Sequence, residues 1–231
     1  MRPILIILFF MLVIVSVKSQ AQKWLPGHFT DIKGNVEKGL IRVNPSGKPP
    51  IKGEGFIEFR EDEKTNPYKL GASELRSFVI GKDSFIVAHP PANEIWASKE
   101  LDFVKVAIDE DIKLYIANQV GGGGSGIGFH PGVSTGIGTG GYGGGVGGGI
   151  SIPIGGGGGG SGSGKEKATW YFGSNPAEMK RLTDENFEDI MSDMMGDYPD
   201  VVDKIHAKVY MLANIDRLIA YFKQVKAAEK R

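Results

Sequence analysis

Residues 121–164 hold 25 of the chain's 35 glycines, and no packed element can run through them. Such a stretch buries too little apolar surface to offset the entropy of ordering its backbone, so it is expected to take no fixed structure. Whatever folds must be assembled from the residues on either side. Ile127, Phe129, Val133, Ile137, Tyr142, Val146 and Ile150 to Ile154 are scattered through the tract, so it is less inert than a pure Gly/Ser linker. Strand-like pieces flank it, Ile112 to Ala117 before and Ala168 to Phe172 after. That placement reads as an overgrown loop between neighbouring strands. Lengthening a loop from about 4 to about 44 residues costs roughly 2 kcal/mol in closure entropy, which a domain stable by about 5–15 kcal/mol tolerates.

Before the tract, short apolar–polar runs alternate with turn residues. His28 to Ile32 and Val36 to Val43 flank a Lys33-Gly34-Asn35 turn. Gly55 to Arg60 alternates as a half-buried strand does. Leu75 to Ile80 and Ser84 to Ala88 flank Gly81-Lys82-Asp83, and Phe103 to Ile108 and Ile112 to Ala117 flank Asp109-Glu110-Asp111. No helix-length periodicity occurs before residue 176. Beyond it, Thr183 is placed to cap a helix with Phe187, Ile190, Met191 and Met194 on one face. Gly196 suits its end, and Pro199 suits the first turn of a second helix carrying Val201, Val202 and Ile205. Ile215, Leu218, Ile219, Phe222 and Val225 form the apolar stripe of a third. The expected fold class is α+β: an antiparallel sheet curled into a small barrel or sandwich, followed by a C-terminal helical segment over 176–231. The expected organisation is one β-rich domain over 22–231, interrupted by the glycine-rich insertion 121–164.

The first residues read as an export signal. Arg2 gives a positive start, and Ile4 to Val17 is apolar except for Ser16. That length suits the core of a secretory signal peptide and is short for a membrane span of roughly 20 residues. Cleavage after Ser19-Gln20-Ala21 makes residues 1–21 the signal and leaves a mature chain with no transmembrane span. The expected location is exported: periplasm, outer-membrane-associated or extracellular. Without Arg2 and Lys18, the remaining 25 basic and 27 acidic residues give no electrostatic reason to expect nucleic acid. With no cysteine in the chain, disulfides and thiolate metal sites are excluded, and the fold rests on its hydrophobic core.

The sequence offers no catalytic, cofactor-binding or metal-binding residue set. Gly138 to Gly143 fits G-x-G-x-x-G, but glycine density alone generates the match, without the strand and helix that the dinucleotide fingerprint needs. Gly159 to Lys165 approaches a phosphate-binding loop, yet Glu166 replaces its Ser/Thr. His28, His89, His130 and His206 fall in no metal-ligand spacing; His206 is expected to pack, and His89 to serve a loop. Asp193, Asp197, Asp200 and Asp203 lack calcium-loop spacing and read as caps and a solvated face. Asp109 to Asp111 read as a polar turn. Trp170-Tyr171-Phe172 offers a ligand platform or, as alternating aromatics usually do, fills a core.

The order of Asp31-Ile-Lys-Gly-Asn35, Gly39-Leu-Ile-Arg42, Phe56-Ile-Glu-Phe59, Tyr68 with Glu74 to Phe78, Gly81 to Phe85, Phe103 to Val106, Leu114-Tyr115, Trp170-Tyr171-Phe172, Leu182 and Tyr221 resembles a broad group of uncharacterised exported proteins common in Bacteroidota. Their signal peptides often end in a stretch like Gln20-Ala21-Gln22. The resemblance covers nearly all of the mature chain except the glycine tract. It implies a β-rich envelope domain with a helical C-terminus and brings no catalytic residues with it.

Three functional expectations follow. The first is a non-catalytic interaction or structural protein whose partner is an envelope protein. The second is a binding module for a glycan, lipid or small molecule, with Trp24, Trp96 or Trp170 lining a concavity. The third is a hydrolase with dispersed active-site residues.

Overall fold

The computed structural model describes residues 24–43, 45–92, 94–96, 99–119 and 167–229. The expected signal peptide, the glycine tract with its two glycine-loop motifs, and His130 lie outside the described residues.

Ten strands form one antiparallel sheet: β1 (Leu25–Asp31), β2 (Val36–Val43), β3 (Phe56–Arg60), β4 (Tyr68–Gly71), β5 (Leu75–Ile80), β6 (Asp83–Ala88), β7 (Asp102–Ile108), β8 (Lys113–Gln119), β9 (Lys167–Gly173) and β10 (Lys180–Arg181). Their order across the sheet is β10-β9-β8-β7-β6-β5-β1-β2-β3-β4. Three α-helices follow: α1 (Phe187–Met194), α2 (Pro199–His206) and α3 (Ile215–Glu229). The described residues thus form an α+β fold, with their helices last. Between residue 176 and α1 the chain makes a 3-10 turn and the edge strand β10 before any α-helix begins.

Local chemistry fixes the hairpins. In the β1–β2 turn, one Asp31 carboxylate oxygen accepts from the backbone N–H of Lys33 and Asn35, and the other accepts from the Asn35 side chain. Gly34 supplies a φ of +93°, which that turn needs. The Asn35 side-chain bond leads the effects that hold the Asp31 carboxyl below the usual carboxylate range. The β5–β6 pair runs to Ile80↔Asp83. The connection is therefore the two residues Gly81 and Lys82, with Gly81 at φ +60°, as right-twisted hairpins prefer.

Among the described residues the sheet does not close into a barrel and no second sheet forms; β4 and β10 end the ladder. It is nevertheless strongly curled. β4 and β5 lie four strand spacings apart in the ladder, about 19 Å on a flat sheet. Only Ala72–Glu74 join them, and four Cα steps reach at most about 14 Å. The curl also brings the start of β3 to the start of β7, where Gly55 N–H donates to Leu101 C=O at 2.7 Å. Inside it lies one core cluster, with Phe29, Ile41, Phe59, Phe78, Phe85 and Phe103 all buried. Phe78 stacks on Phe85 at 4.7 Å and meets Phe103 edge-on at 5.0 Å. Within β1–β2, Gly27 lies opposite Gly39. Side chains there would strike neighbouring backbone, so the glycine pair is what lets the sheet bend.

The remaining core divides between the two sides of the other half of the sheet. On the side continuous with the curl's interior, Ile108, Leu114, Ile116 and Trp170 meet Phe187, Met191, Ile205, Ile215, Leu218 and Phe222 of the helices. On the opposite side, Val104, Tyr115, Tyr171 and Ala117 are covered by Trp96 and Met179, from the β6–β7 and β9–β10 connections. The helices close one side of β7–β9, so neither barrel closure nor a second sheet is needed there. β8 and β9 pair directly as far as Gln119↔Lys167, so residues 120–166 join adjacent strands of this sheet.

Candidate functional site

Cross-strand register places Ala88, Asp102 and the Gln119–Lys167 pair at one end of the sheet. Two long connections emerge there: residues 89–101 and residues 120–166. The first folds back over the sheet, anchored by Trp96, which is only 2% exposed. Trp96 Nε1 donates to the Tyr171 hydroxyl at 3.0 Å, and that hydroxyl donates to Glu94 Oε2 at 2.5 Å. The two rings are tilted at a centroid distance of 5.7 Å. His89 Nδ1 lies 2.7 Å from Glu100 C=O, and Lys99 pairs with Asp102 at 2.7 Å. His89, Pro91, Glu94, Ile95, Lys99 and Glu100 line a depression of about 590 Å³, open to solvent. Ile95, on its lining, is 77% exposed, the highest among the exposed large hydrophobic side chains of the described residues.

The Tyr171 hydroxyl is the pivot of this end. Tyr171→Phe leaves the ring in place but strands a buried indole N–H and the Glu94 carboxylate. It is expected to cost about 2 kcal/mol, read as a lowered midpoint in chemical denaturation. It is also expected to raise hydrogen exchange over residues 94–101 more than over β1–β3.

The tryptophans do not line a groove together. Trp170 is 5% exposed and sits between β8 and the helices, so Trp170 and Tyr171 fill the core on opposite faces of β9. Trp24 is partly exposed and lies beneath two guanidinium groups, 4.8 Å from Arg42 and 4.4 Å from Arg60. Sequence reading did not find that pair. The signal was available in strand parity, because Arg42 and Arg60 both alternate with core residues of β2 and β3.

The other residues singled out in the sequence are dispersed. His28 is half-buried on β1 opposite Lys38. His206 is exposed rather than packed in the core, because at the last position of α2 its ring points away from the Val201–Ile205 stripe. Its Nε2 lies 3.3 Å from Ser192 Oγ. That contact joins α1 to α2, and among the described residues no carboxylate is hydrogen-bonded to the ring's other nitrogen, as a nucleophile–base–orienter set requires. Asp109 pairs with Lys113 and Glu110 with Lys226 of α3, so this turn's charges tie the hairpin to the last helix. Thr183 does not cap α1 with its side chain; instead Asn186 Oδ1 accepts from Thr183 N–H at 2.8 Å. No group of three His, Asp or Glu able to hold a metal ion occurs among the described residues. Burial pushes the Tyr115 hydroxyl up to about 12, with Asp109 adding to it. Between the curl and α3, Lys105 pairs with Asp83 at 2.5 Å. There, partial loss of hydration lowers the Lys223 pKa and raises the Asp216 pKa, both on α3 and both still exposed to solvent.

Among the described residues no helix is long and apolar enough to cross a membrane. The fold defines an α+β protein built on one open, curled antiparallel sheet. Comparison with protein-family models, curated proteins and solved structures found no match to the chain.

Proposed function

We propose that this chain is an exported cell-envelope protein that acts by non-catalytic contact with another envelope protein. The observation that carries the proposal is the end of the sheet where residues 89–101 and 120–166 emerge together, with Ile95 held out in solvent on a connection that Trp96 pins to the core. An exposed aliphatic side chain on an anchored loop is a contact surface with little ordering cost left to meet on binding. The export reading rests on the apolar run Ile4 to Val17 and the small-residue site that follows, and the resemblance to exported Bacteroidota proteins points the same way.

Co-purification of the tagged protein from its native envelope, read by mass spectrometry, tests this. A parallel sample carries a short turn in place of residues 121–164. The expected result is one reproducible partner with the full chain, its recovery reduced several-fold by Ile95→Asp. Partner loss from the shortened variant would assign the contact to the tract. Recovery of nothing above background from either sample would reject the reading.

A second reading is favoured by the depression itself, whose volume falls in the range of small-molecule sites. Its open form and its lining by loop residues make a ligand subordinate to a protein partner.

A further inference from the structure

We infer that the outer face of β1–β4 is a docking surface for an anionic lipid bilayer, with Trp24 at its centre. The ladders set the composition of that face. Pro26, Leu40 and Arg60 form one cross-strand row, Arg42, Glu58 and Lys69 another, and His28 stands opposite Lys38. Their side chains point away from the Phe29–Phe59 core. Lys38 and Lys69 are exposed, and Arg42, Arg60, Leu40 and Trp24 are partly so. Glu58 is the one carboxylate in these rows; it is 7% exposed and its charge is taken by Arg42. Cations therefore outnumber accessible anions on a surface that also shows a tryptophan, a leucine and a proline. Interfacial proteins present that mixture to headgroups: the cations meet phosphate, and the apolar and indole groups enter the boundary region.

Stacking on the indole holds both guanidiniums in place before any ligand arrives, so little side-chain freedom is lost on contact. The acidic turn Glu61 to Glu63 marks one limit of the face. The rest of the molecule favours a single orientation. Residues 182–203 contain eight carboxylates and no lysine or arginine, and all eight are exposed. Asp189 and Asp193 on α1 belong to this set. The helices that carry it pack on the sheet side opposite Arg42 and Arg60, at the far end of the strand order. An anionic surface attracts the first face and repels the second. This inference does not depend on the existence of the proposed envelope partner, since vesicles contain no protein.

Trp96 and Trp170 are buried, so quenching by brominated lipid reports on Trp24. Protein purified from cells expressing the full chain is titrated with vesicles containing about one-third phosphatidylglycerol in phosphatidylcholine, and with phosphatidylcholine vesicles alone. The expected result is quenching by the anionic vesicles at about 50 mM salt and its loss at about 500 mM. Lys38→Glu with Lys69→Glu is expected to weaken binding roughly 30-fold at an unchanged thermal midpoint. If the double variant is unstable, Lys38→Glu alone is read, with an expected loss of roughly fivefold. Absence of quenching at low salt, equal binding to the neutral vesicles, or full binding by a folded charge-reversed variant would each overturn the inference. So would sedimentation showing that low salt drives association of the protein with its own copies while vesicles stay unbound. Failure here with a partner still recovered from the envelope would leave the protein-contact reading standing.

Discussion

Trp170→Ala is expected to lower stability by about 3–5 kcal/mol, the range for emptying a fully packed aromatic position. The indole lies between Ile116 of β8, its cross-strand neighbour, and the helical layer. Its own backbone carbonyl accepts from Leu182 N–H at 2.8 Å, so the cavity would open where sheet, edge strand and helices meet. A domain with about 5–15 kcal/mol in total would lose a large part of it, and the helices would detach first. Chemical denaturation followed by far-ultraviolet circular dichroism checks this. A midpoint within error of the parent, together with loss of a bound ligand, would place Trp170 in a site instead of the core.

Gly39→Ala has the next largest effect, about 3 kcal/mol, and acts by crowding. A Cβ at Gly39 would lie 2.4 Å from the Arg60 carbonyl oxygen and 2.7 Å from the Phe59 ring. Neither neighbour has room to move: Phe59 is fully buried, and its ring stands edge-on to Phe29 at 4.8 Å. A Cβ on Gly27, directly opposite, would lie 2.2 Å from the Val79 carbonyl oxygen. Relief at Gly39 therefore requires the sheet to flatten between β1 and β3. A Gly39→Ala protein with an unaltered denaturation midpoint would show that the curl does not depend on this pair.

The elements legible in the sequence were those whose causes are local. Asp31 to Asn35 and Gly81-Lys82 carry their turn chemistry within a few residues, so the hairpins were found with near-correct ends. Phe187, Met191 and Met194 mark α1 by spacing alone, and Pro199 opens α2 as expected. The four residues of β4 begin with exposed Tyr68 and Lys69, and β10 is two exposed residues; neither gives an alternation to detect. The curl was anticipated, but whether it closes depends on contacts such as Gly55 with Leu101 that no single segment encodes. The candidate site was hidden for the same reason. The Glu94–Tyr171–Trp96 contacts span 75 residues or more of sequence, and Arg42 and Arg60 come together only over Trp24. His206 was misplaced because helical periodicity identifies α2's apolar stripe without saying how much of the final turn it covers.

The proposed partner contact lies at the end of the sheet where residues 89–101 and 120–166 emerge. In-cell amine cross-linking followed by mass spectrometry tests it most directly, since Lys99 and Lys167 stand at that end while Lys38 and Lys69 stand on the outer face of β1–β4. Lys99 or Lys167 is expected to become linked to one other envelope protein, repeatedly, and Ile95→Asp to remove those links. Links confined to lysines within the chain, with Lys99 and Lys167 recovered unlinked to any other protein, would contradict it.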